Sequence, residues 1–286
     1  MRALREHLDV DLVELSFPAT SRLRAVAADA VWYPWLRADA DVLHCPTFRG
    51  PIRAWGPPVV VTVHDLAVLR HPEWFNRWSA SYSRFAVPRV VRAAARVIAV
   101  SEFTKRELVA LLDVRPNKIT VVPNAVEDVF TPDGERGEGE YALAVGTLEP
   151  RKNLARIARA VEGELRVVGA RGWRGVEPPA NVTWLGDVSD EELARLYRGA
   201  RCLVYASLYE GFGIPVAEAL ACGCPVVTSR DSPMAELAPD GALVDPTDVA
   251  SIRDGITRAT RVEPRHGLSW REVAARTRAV YEEVLA

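Results

Sequence analysis

The 286-residue sequence lacks several features that would assign it to a specialised class of protein. Its four cysteines follow neither a disulfide framework nor the paired spacing of a zinc site: Cys45, Cys202, Cys222 and Cys224. No apolar run reaches the length of a transmembrane helix, and the charged first residues are not typical of a signal peptide. We therefore expect a cytoplasmic globular protein with buried, reduced thiols and no bound metal.

Neither sign of charge is in large excess. The sequence has 36 Lys and Arg residues and 38 Asp and Glu residues, which gives a net charge of −2. This near balance argues against a nucleic-acid partner. The hydrophobic share of 49% is that of a folded protein, and the length allows two domains.

One stretch, 70–106, departs from this balance. Against Glu73 and Glu102 it places eight basic residues: Arg70, Arg77, Arg84, Arg89, Arg92, Arg96, Lys105 and Arg106. It also carries Trp74, Phe75, Trp78, Tyr82 and Phe85. Two interpretations stay open, namely peripheral contact with an anionic membrane or acceptor, and a solvated helix face whose aromatic rings lie in the core.

Short apolar runs alternate with helical stretches along the whole chain. The first half has the strand candidates Val10–Leu15, Asp41–His44, Pro58–Val63, Val97–Val100 and Ile119–Val122. The second half has Tyr141–Val145, Leu165–Val168, Val182–Leu185, Cys202–Tyr205, Pro225–Thr228 and Ala242–Val244. Continuous apolar strands between helices predict an α/β protein with doubly wound parallel sheets.

A polar, glycine-rich segment at 131–140 has no apolar periodicity and divides the chain. We predict an N-terminal domain at 1–130, a linker at 131–140 and a C-terminal domain at 141–265. A final amphipathic helix in 266–286 can pack on either domain. Two such sheets would face each other across a cleft, with ligands at the carboxyl ends of their strands.

The most informative segment is 210–218, which follows a predicted buried strand. It combines a glycine turn at Gly211–Gly213 with Pro215, which suits the first turn of a helix. Unpaired N–H groups at a helix start bind phosphate, whereas Glu210 and Glu218 accept hydrogen bonds from hydroxyls. The segment therefore predicts a nucleotide-sugar site, although a polar loop before an ordinary surface helix would also fit.

Other candidates follow the remaining strands. His64 can bond a hydroxyl or exchange a proton, unless Asp65 merely satisfies it. Asn124 can contact a sugar, but Pro-Asn is also ordinary turn chemistry. Gly146 frees the turn before Arg151 and Lys152, two cations that can hold a diphosphate or remain solvated.

Together these motifs resemble the family-4 glycosyltransferases from about residue 40 to the C-terminus. The resemblance rests on HDL, VSEFTKREL, VVPN, GTLEPRKN, VGARGW, LGDVSDEELARLYRGA, SLYEGFGIPVAEALACGCPVVTS and LVDPTDV, in that order. It implies the GT-B fold, two Rossmann-like domains around a cleft. It also implies retaining, metal-independent sugar transfer from a nucleotide diphosphate, without a cofactor. His64-Asp65-Leu66 followed by His71–Phe75 looks most like bacterial mannosyltransferases of polysaccharide assembly, so GDP-mannose is favoured over a UDP-sugar.

The resemblance also implies residue roles. Glu210 would contact the donor sugar, Glu218 the ribose hydroxyls, and His64 the primary hydroxyl of the sugar. Backbone groups of Gly211, Phe212 and Gly213 would meet sugar and phosphate, beside Ile214. Arg151 and Lys152 would bind the diphosphate, Leu185 would lie near the base, and the final helix would cross back to the first domain.

Two positions depart from the family pattern. The usual first strand and its glycine-rich loop have no counterpart, which puts acceptor binding in question. Thr147 stands where many relatives have arginine, so the phosphates would depend more on Arg151 and Lys152. The acceptor would be an unknown carbohydrate or lipid-linked hydroxyl. Alternatives are a non-catalytic nucleotide-sugar-binding protein and a nucleotide-sugar epimerase or hydrolase.

Overall fold

A computed structural model describes most of the chain. The described residues are 2–11, 13–15, 24, 27–36, 38–53, 56–170, 181–239 and 241–286. The sequence motif at 168–173 therefore lies partly outside the described residues. The chain divides into two compact units, Met1–Asn124 with Trp270–Ala286 and Ala125–Ser269.

The first unit contains a parallel sheet in the order β1-β2-β3-β4. Its strands are β1 (Leu43–Cys45), β2 (Val59–Val63), β3 (Arg96–Ala99) and β4 (Ile119–Val121). Every residue of β2 is buried, because helices cover both faces of a parallel sheet and favour apolar runs. The associated helices are α1 (Arg2–His7), α2 (Ala67–Arg70), α3 (Arg77–Ala93) and α4 (Glu102–Leu112).

The strand predicted at Val10–Leu15 is wrong for the described residues of that segment, with Leu12 outside them. They form no ladder, and the side chain of Val13 is 76% exposed. An apolar run without a neighbouring strand has nothing to bury it, so local propensity alone did not decide its structure. Among the described residues, the first strand of this unit begins at Leu43.

The second unit contains a parallel sheet in the order β10-β9-β8-β5-β6-β7. Its strands are β5 (Tyr141–Val145), β6 (Glu164–Val168), β7 (Val182–Gly186), β8 (Cys202–Tyr205), β9 (Val226–Ser229) and β10 (Ala242–Val244). Its helices are α5 (Leu154–Ala160), α6 (Asp190–Gly199), α7 (Ile214–Ala221), α8 (Pro233–Leu237) and α9 (Val249–Arg258). The sheet grows in both directions from β5, which is the Rossmann order.

Serine side chains cap the N-termini of α4 and α6. The hydroxyls of Ser101 and Ser189 accept from the third backbone N–H beyond them, at Thr104 and Glu192. α7 ends at Ala221, and Gly223 follows with a φ of 67° that suits glycine.

The last helix, α10 (Trp270–Leu285), belongs to the first unit. Tyr281 Oη lies 2.6 Å from Nδ1 of His44, and Nε2 of that imidazole lies 2.8 Å from Oγ1 of Thr62. Glu283 pairs with Arg96 at 3.1 Å. Burial lowers the pKa of His44 to about 4, so the ring is neutral and connects α10 to β1 and β2.

Candidate active site

The point where the second sheet reverses direction lies between β5 and β8. The chain leaves β5 toward β6 on one side, and β8 continues toward β9 on the other. The loops after these two strands therefore diverge and leave a crevice at the carboxyl end of the sheet, where α/β proteins bind ligands. Most of the predicted site residues lie on these two loops, 146–153 and 206–213.

In the loop after β5, the side chain of Lys152 packs against Gly146, the residue that follows the strand. Gly146 has a φ of 145°, and a Cβ at that position would lie 3.1 Å from the side chain of Lys152. Glycine thus provides both the backbone conformation and the space for the lysine. Arg151 and Lys152 lie in a single 3₁₀ turn, Pro150–Lys152, which ends at Asn153 with a φ of 59°.

Asn153 connects this turn by a hydrogen bond to the loop that follows β8. Its amide nitrogen donates to the carbonyl oxygens of Ala206 at 2.9 Å and Pro246 at 2.6 Å. The backbone N–H of Leu208 donates to the carbonyl of Arg151 at 2.8 Å. The two cations are therefore held at one fixed place beside the β8 loop.

Glu210 receives both cations. Arg151 Nη1 lies 2.8 Å from Glu210 Oε2, and Lys152 Nζ lies 2.7 Å from Oε1. The hydroxyl of Tyr205 accepts from Lys152 Nζ at 2.6 Å and donates to Glu210 Oε1 at 3.1 Å. Glu149 binds Arg151 Nε from the outer side at 2.8 Å. We call Glu149, Arg151, Lys152, Tyr205 and Glu210 the charged cluster.

The charged side chains of this cluster are largely buried. Glu210 is only 7% exposed. Desolvation lowers the pKa of Lys152, and the nearby Glu210 carboxylate opposes that shift. Buried charges of this kind require close partners. Removing one member would leave another charge without full compensation.

The loop after β8 leads directly into the helix α7. Gly213, the residue before the helix, has a φ of 97° and offers no side-chain cap to the first N–H groups. A Cβ there would lie 2.4 Å from Met234, so glycine is required. Ile214 opens the helix with its side chain 43% exposed, and Phe212 is buried. An uncapped helix start beside an exposed apolar residue suits an anion carrying an organic group.

Glu218 lies one turn further along α7, in different surroundings. The hydroxyl of Tyr197 donates to its Oε2 at 2.9 Å. Burial raises the pKa of Glu218 to about 7, the Tyr197 bond opposes that shift, and Asp190 and Glu127 add to it. Near neutrality this carboxyl is therefore close to half protonated.

The other predicted residues are placed as follows. Thr147 lies in the loop after β5, whereas Leu185 lies within β7 and is 37% exposed. His64 and Asn124 belong to the first unit. Nε2 of His64 lies 3.0 Å from the carbonyl oxygen of Pro46. Because a carbonyl oxygen only accepts, Nε2 is the donor, and Nδ1 of the neutral ring is an acceptor. Asp65 accepts instead from the N–H of Ala67, so it is not the partner that would satisfy His64.

Four residues of this site were not identified from the sequence: Glu149, Asn153, Tyr197 and Tyr205. Asn153 carried a usable signal, because asparagine tolerates positive φ and stands just before a helix. The tyrosines carried none, since both read as ordinary apolar positions. Their hydroxyls reach Glu218 and Glu210 across separations that only the fold closes.

No group of His, Cys, Asp or Glu within the described residues has the arrangement of a metal site. No helix in the same ranges is long and apolar enough to cross a membrane. The four cysteines are free and buried.

A GT-B glycosyltransferase is the class defined by two Rossmann-like units with such a strand-end site. Residues 2–130 match the family model described as Glycosyltransferase Family 4, and residues 126–269 match Glycosyl transferases group 1. Between them the two matches span nearly the whole chain. The chain belongs to this glycosyltransferase family, as its motifs predict.

Among similar proteins is the O-antigen chain mannosyltransferase B of Escherichia coli, 32% identical over 82% of this chain and 67% of that protein. The MMP alpha-(1->4)-mannosyltransferase of Mycolicibacterium hassiacum is 29% identical over 94% of this chain and 76% of its own. Anabaena HepE, solved in complex with UDP-glucose, superimposes with a TM-score of 0.58 at 18% identity. That match covers 80% of this chain and 68% of HepE, and it supports the fold alone.

Proposed function

We propose that this enzyme transfers a sugar from a nucleotide diphosphate to an acceptor hydroxyl with retention and without a metal ion. The observation that carries the proposal is the position of Arg151 and Lys152. Both cations converge on one carboxylate, Glu210, at the switch point of the second sheet. That place also receives the uncapped start of α7, so three sources of positive potential meet there.

These groups suit the departure of a nucleoside diphosphate. As the bond from the anomeric carbon to the phosphate oxygen breaks, negative charge develops on the leaving oxygen. Arg151, Lys152 and the helix start stabilise that charge without the reorganisation that water would require. The acceptor oxygen then bonds to the anomeric carbon on the face being vacated, and the leaving phosphate takes the acceptor proton. We infer no covalent intermediate, because Glu210 among the described carboxylates already pairs with both cations.

The remaining contacts are assigned by chemistry. Glu218, as a carboxylate, accepts from the ribose hydroxyls, and Gly211, Phe212 and Gly213 present backbone groups to sugar and phosphate. Leu185 and Ile214 are exposed apolar side chains that can cover the base or sugar. His64 of the first unit keeps Nδ1 available for a hydroxyl or a proton, and Asn124 remains a candidate sugar contact.

GDP-mannose is the favoured donor, because the two similar proteins described above are mannosyltransferases. A UDP-sugar is the second choice, since HepE was solved with UDP-glucose. We propose that the acceptor is a growing polysaccharide or a glycolipid, by analogy with the O-antigen enzyme, and that the reaction occurs in the cytoplasm. The four free cysteines are consistent with that compartment.

A non-catalytic nucleotide-sugar-binding protein is the second candidate. It is favoured by one observation, that the first strand found among the described residues of the first unit begins only at Leu43. Such a protein would retain the charged cluster and bind the donor. It would release no nucleotide when acceptors are added.

The test is a thermal-shift panel with GDP, UDP, ADP and their sugar conjugates, followed by assays of nucleotide release. A ligand at 100 times its Kd stabilises by about 2.7 kcal/mol, which moves the Tm by several degrees. We expect one nucleotide class to shift the Tm of the wild type and to have no effect on Glu218→Ala.

The outcomes separate the candidates. A shift followed by acceptor-dependent release with retained anomeric configuration, determined by NMR, supports the transferase. Inversion would contradict the proposed attack, and release without an acceptor would indicate a hydrolase. A shift without release supports the binding protein, and no shift with any nucleotide contradicts the donor site itself.

A further inference from the structure

Helix α3 has two faces of opposite character. Its inner face contributes buried residues to the first unit: Tyr82, Ser83, Ala86, Val87, Val90 and Val91. Eight exposed or half-buried positions lie on the opposite side and recur mostly every three or four residues: Arg77, Trp78, Ser81, Arg84, Phe85, Pro88, Arg89 and Arg92. We call this set the outer face of α3. It holds four arginines, two aromatic rings and no acidic residue.

The two aromatic rings are held on the solvent side. Trp78 is 44% exposed and Phe85 is 48% exposed. The ring of Trp78 lies nearly parallel to Tyr82, with centroids 6.3 Å apart. The guanidinium carbon of Arg89 lies 3.9 Å from the Phe85 centroid, and its Nη1 donates to the Phe85 carbonyl at 2.7 Å. Of the two interpretations of this stretch, core burial therefore applies to Tyr82 and not to Trp78 or Phe85.

We propose that the outer face of α3 docks the enzyme on a bilayer of anionic phospholipids. Arginine presents a planar fork that binds phosphate through two hydrogen bonds. Tryptophan and phenylalanine between such cations are typical of helices that lie in the membrane interface. Single exposed apolar residues need no explanation, but two on one basic helix face without a carboxylate form a coherent surface.

A membrane suits this face better than an acidic polysaccharide. The rings project from a convex helix, whereas small-molecule and sugar sites are concave. A flat bilayer can contact all eight positions along the five turns of α3 at once. The acidic residue that precedes the helix, Glu73, lies in the turn Pro72–Trp74 outside α3, with its carboxylate 3.2 Å from Nδ1 of His71. This surface goes beyond the proposed transfer reaction and does not depend on it.

The first test is co-sedimentation with vesicles of phosphatidylcholine, with and without phosphatidylglycerol. We expect binding only to the anionic vesicles, and its loss in 0.5 M salt (roughly a 4 Å Debye length). The triple variant Arg77→Gln, Arg84→Gln, Arg92→Gln should bind about 100-fold more weakly, because each basic residue near an anionic surface contributes roughly a fivefold factor.

The matched control removes the same charge elsewhere. Arg258, Arg271 and Arg276 are exposed on α9 and α10, and their replacement by glutamine should leave vesicle binding within a fewfold of wild type. Equal losses in both triple variants would overturn the proposal, since net charge alone would then explain the binding. Equal binding to neutral and anionic vesicles would also overturn it.

A second measurement locates the contact. Lipids with brominated acyl chains should quench part of the tryptophan fluorescence in the wild type. Trp78→Phe keeps a ring against Tyr82 and should bind vesicles similarly while losing most of that quenching. Unchanged quenching in this variant would overturn the proposal. So would retention on heparin without vesicle binding, which would indicate an acidic glycan.

Nucleotide thermal shifts on the same variants keep this test separate from the proposed function. All arginine variants should keep the nucleotide response of the wild type. If a variant loses vesicle binding but keeps a normal nucleotide-induced Tm shift, the result bears on the outer face of α3 and not on the proposed reaction. If the wild type shows no nucleotide-induced Tm shift, the result bears only on the donor site.

Discussion

The two ends of the segment 210–218 place the same residue type in opposite surroundings. Glu210 lies between Arg151 and Lys152, with both of its oxygens in ion pairs. Within the described ranges, the Tyr197 hydroxyl donates a hydrogen bond to Glu218, whose pKa is raised chiefly by burial and further by nearby Asp190 and Glu127. One carboxylate is therefore held between two cations, whereas the pKa of the other is raised to about 7.

The difference shows how two carboxylates eight residues apart can serve two kinds of chemistry. A fully paired carboxylate near cations is suited to a place where charge changes during a reaction. A carboxyl that titrates near neutrality is suited to exchanging hydrogen bonds with neutral hydroxyls. Pairs of titratable groups with divergent pKa values commonly mark divided roles in an active site.

The largest effect should come from removing one of the two cations that pair with Glu210, and it should be seen in the turnover rate. Lys152→Ala removes a positive charge where the leaving phosphate develops its own, so turnover should fall by about 100-fold to 1000-fold. Steady-state nucleotide release measures it. The control is Lys118→Ala. Lys118 lies in the first unit, where it donates to the carbonyl of Arg92, so this variant should keep the turnover rate of the wild type. A Lys152→Ala rate within twofold of wild type would contradict the role.

Removing the charge of Glu210 should reduce stability. Glu210→Gln leaves Arg151 and Lys152 without their shared buried partner, which should lower the free energy of unfolding by about 3 kcal/mol. Chemical denaturation checks this. Glu149→Gln is the control, because its more exposed carboxylate pairs with Arg151 alone and should cost about 1 kcal/mol or less. Equal losses in the two variants would show that the burial of Glu210 is not decisive.

The substitution Glu218→Gln should instead increase the free energy of unfolding, by an amount that depends on pH. The folded-state pKa of Glu218 lies near 7, above its ordinary value of 4.5, so the folded protein binds the extra proton. The wild type therefore loses stability as pH rises from about 4.5 to 7, and the loss is complete above that. The glutamine variant should gain little at pH 4 and up to about 3 kcal/mol at pH 8. A gain independent of pH would exclude this cause.

The smallest effect concerns donor affinity. If the ionised Glu218 binds ribose, then the Kd of the nucleotide sugar should increase by about tenfold for each pH unit below 7. Isothermal titration between pH 5.5 and 8 measures it. In Glu218→Gln the affinity should be lower and nearly constant over that range. A parallel slope in the variant would assign the titration to another group.

Most of the fold could be predicted from the sequence, because parallel strands buried on both faces leave continuous apolar runs. Val59–Val63 and Cys202–Tyr205 are of this kind, and the structure places strands there. Val10–Leu15 shows the limit of that signal, since an apolar run becomes a strand only beside a partner. Helix starts at Ser101 and Ser189 were predictable because capping is local.

The internal contacts of the site could not be predicted in the same way. Local sequence identified Arg151, Lys152 and Glu210 as separate candidates at strand ends. Their pairing spans 58 and 59 residues, and it depends on β5 and β8 lying side by side. The raised pKa of Glu218 likewise depends on burial by α6 and α7, which no spacing reveals. Sequence thus named these candidates, and only packing gave them their partners and charge states.

The contact between Glu210 and its two cations also has a kinetic consequence. Glu149, Arg151, Lys152 and Glu210, when all are ionised, sum to zero charge, so the cluster exerts little attraction on a distant anion. If Arg151 and Lys152 bind the diphosphate as proposed, Glu210 is a counter-ion attached to the protein that occupies the same cations first. The incoming diphosphate would then compete with a carboxylate present at a fixed, high local concentration. Under the proposed reaction, the ion pairs would keep the cations in position between turnovers, and the displaced carboxylate would become available for the hydroxyls of the sugar.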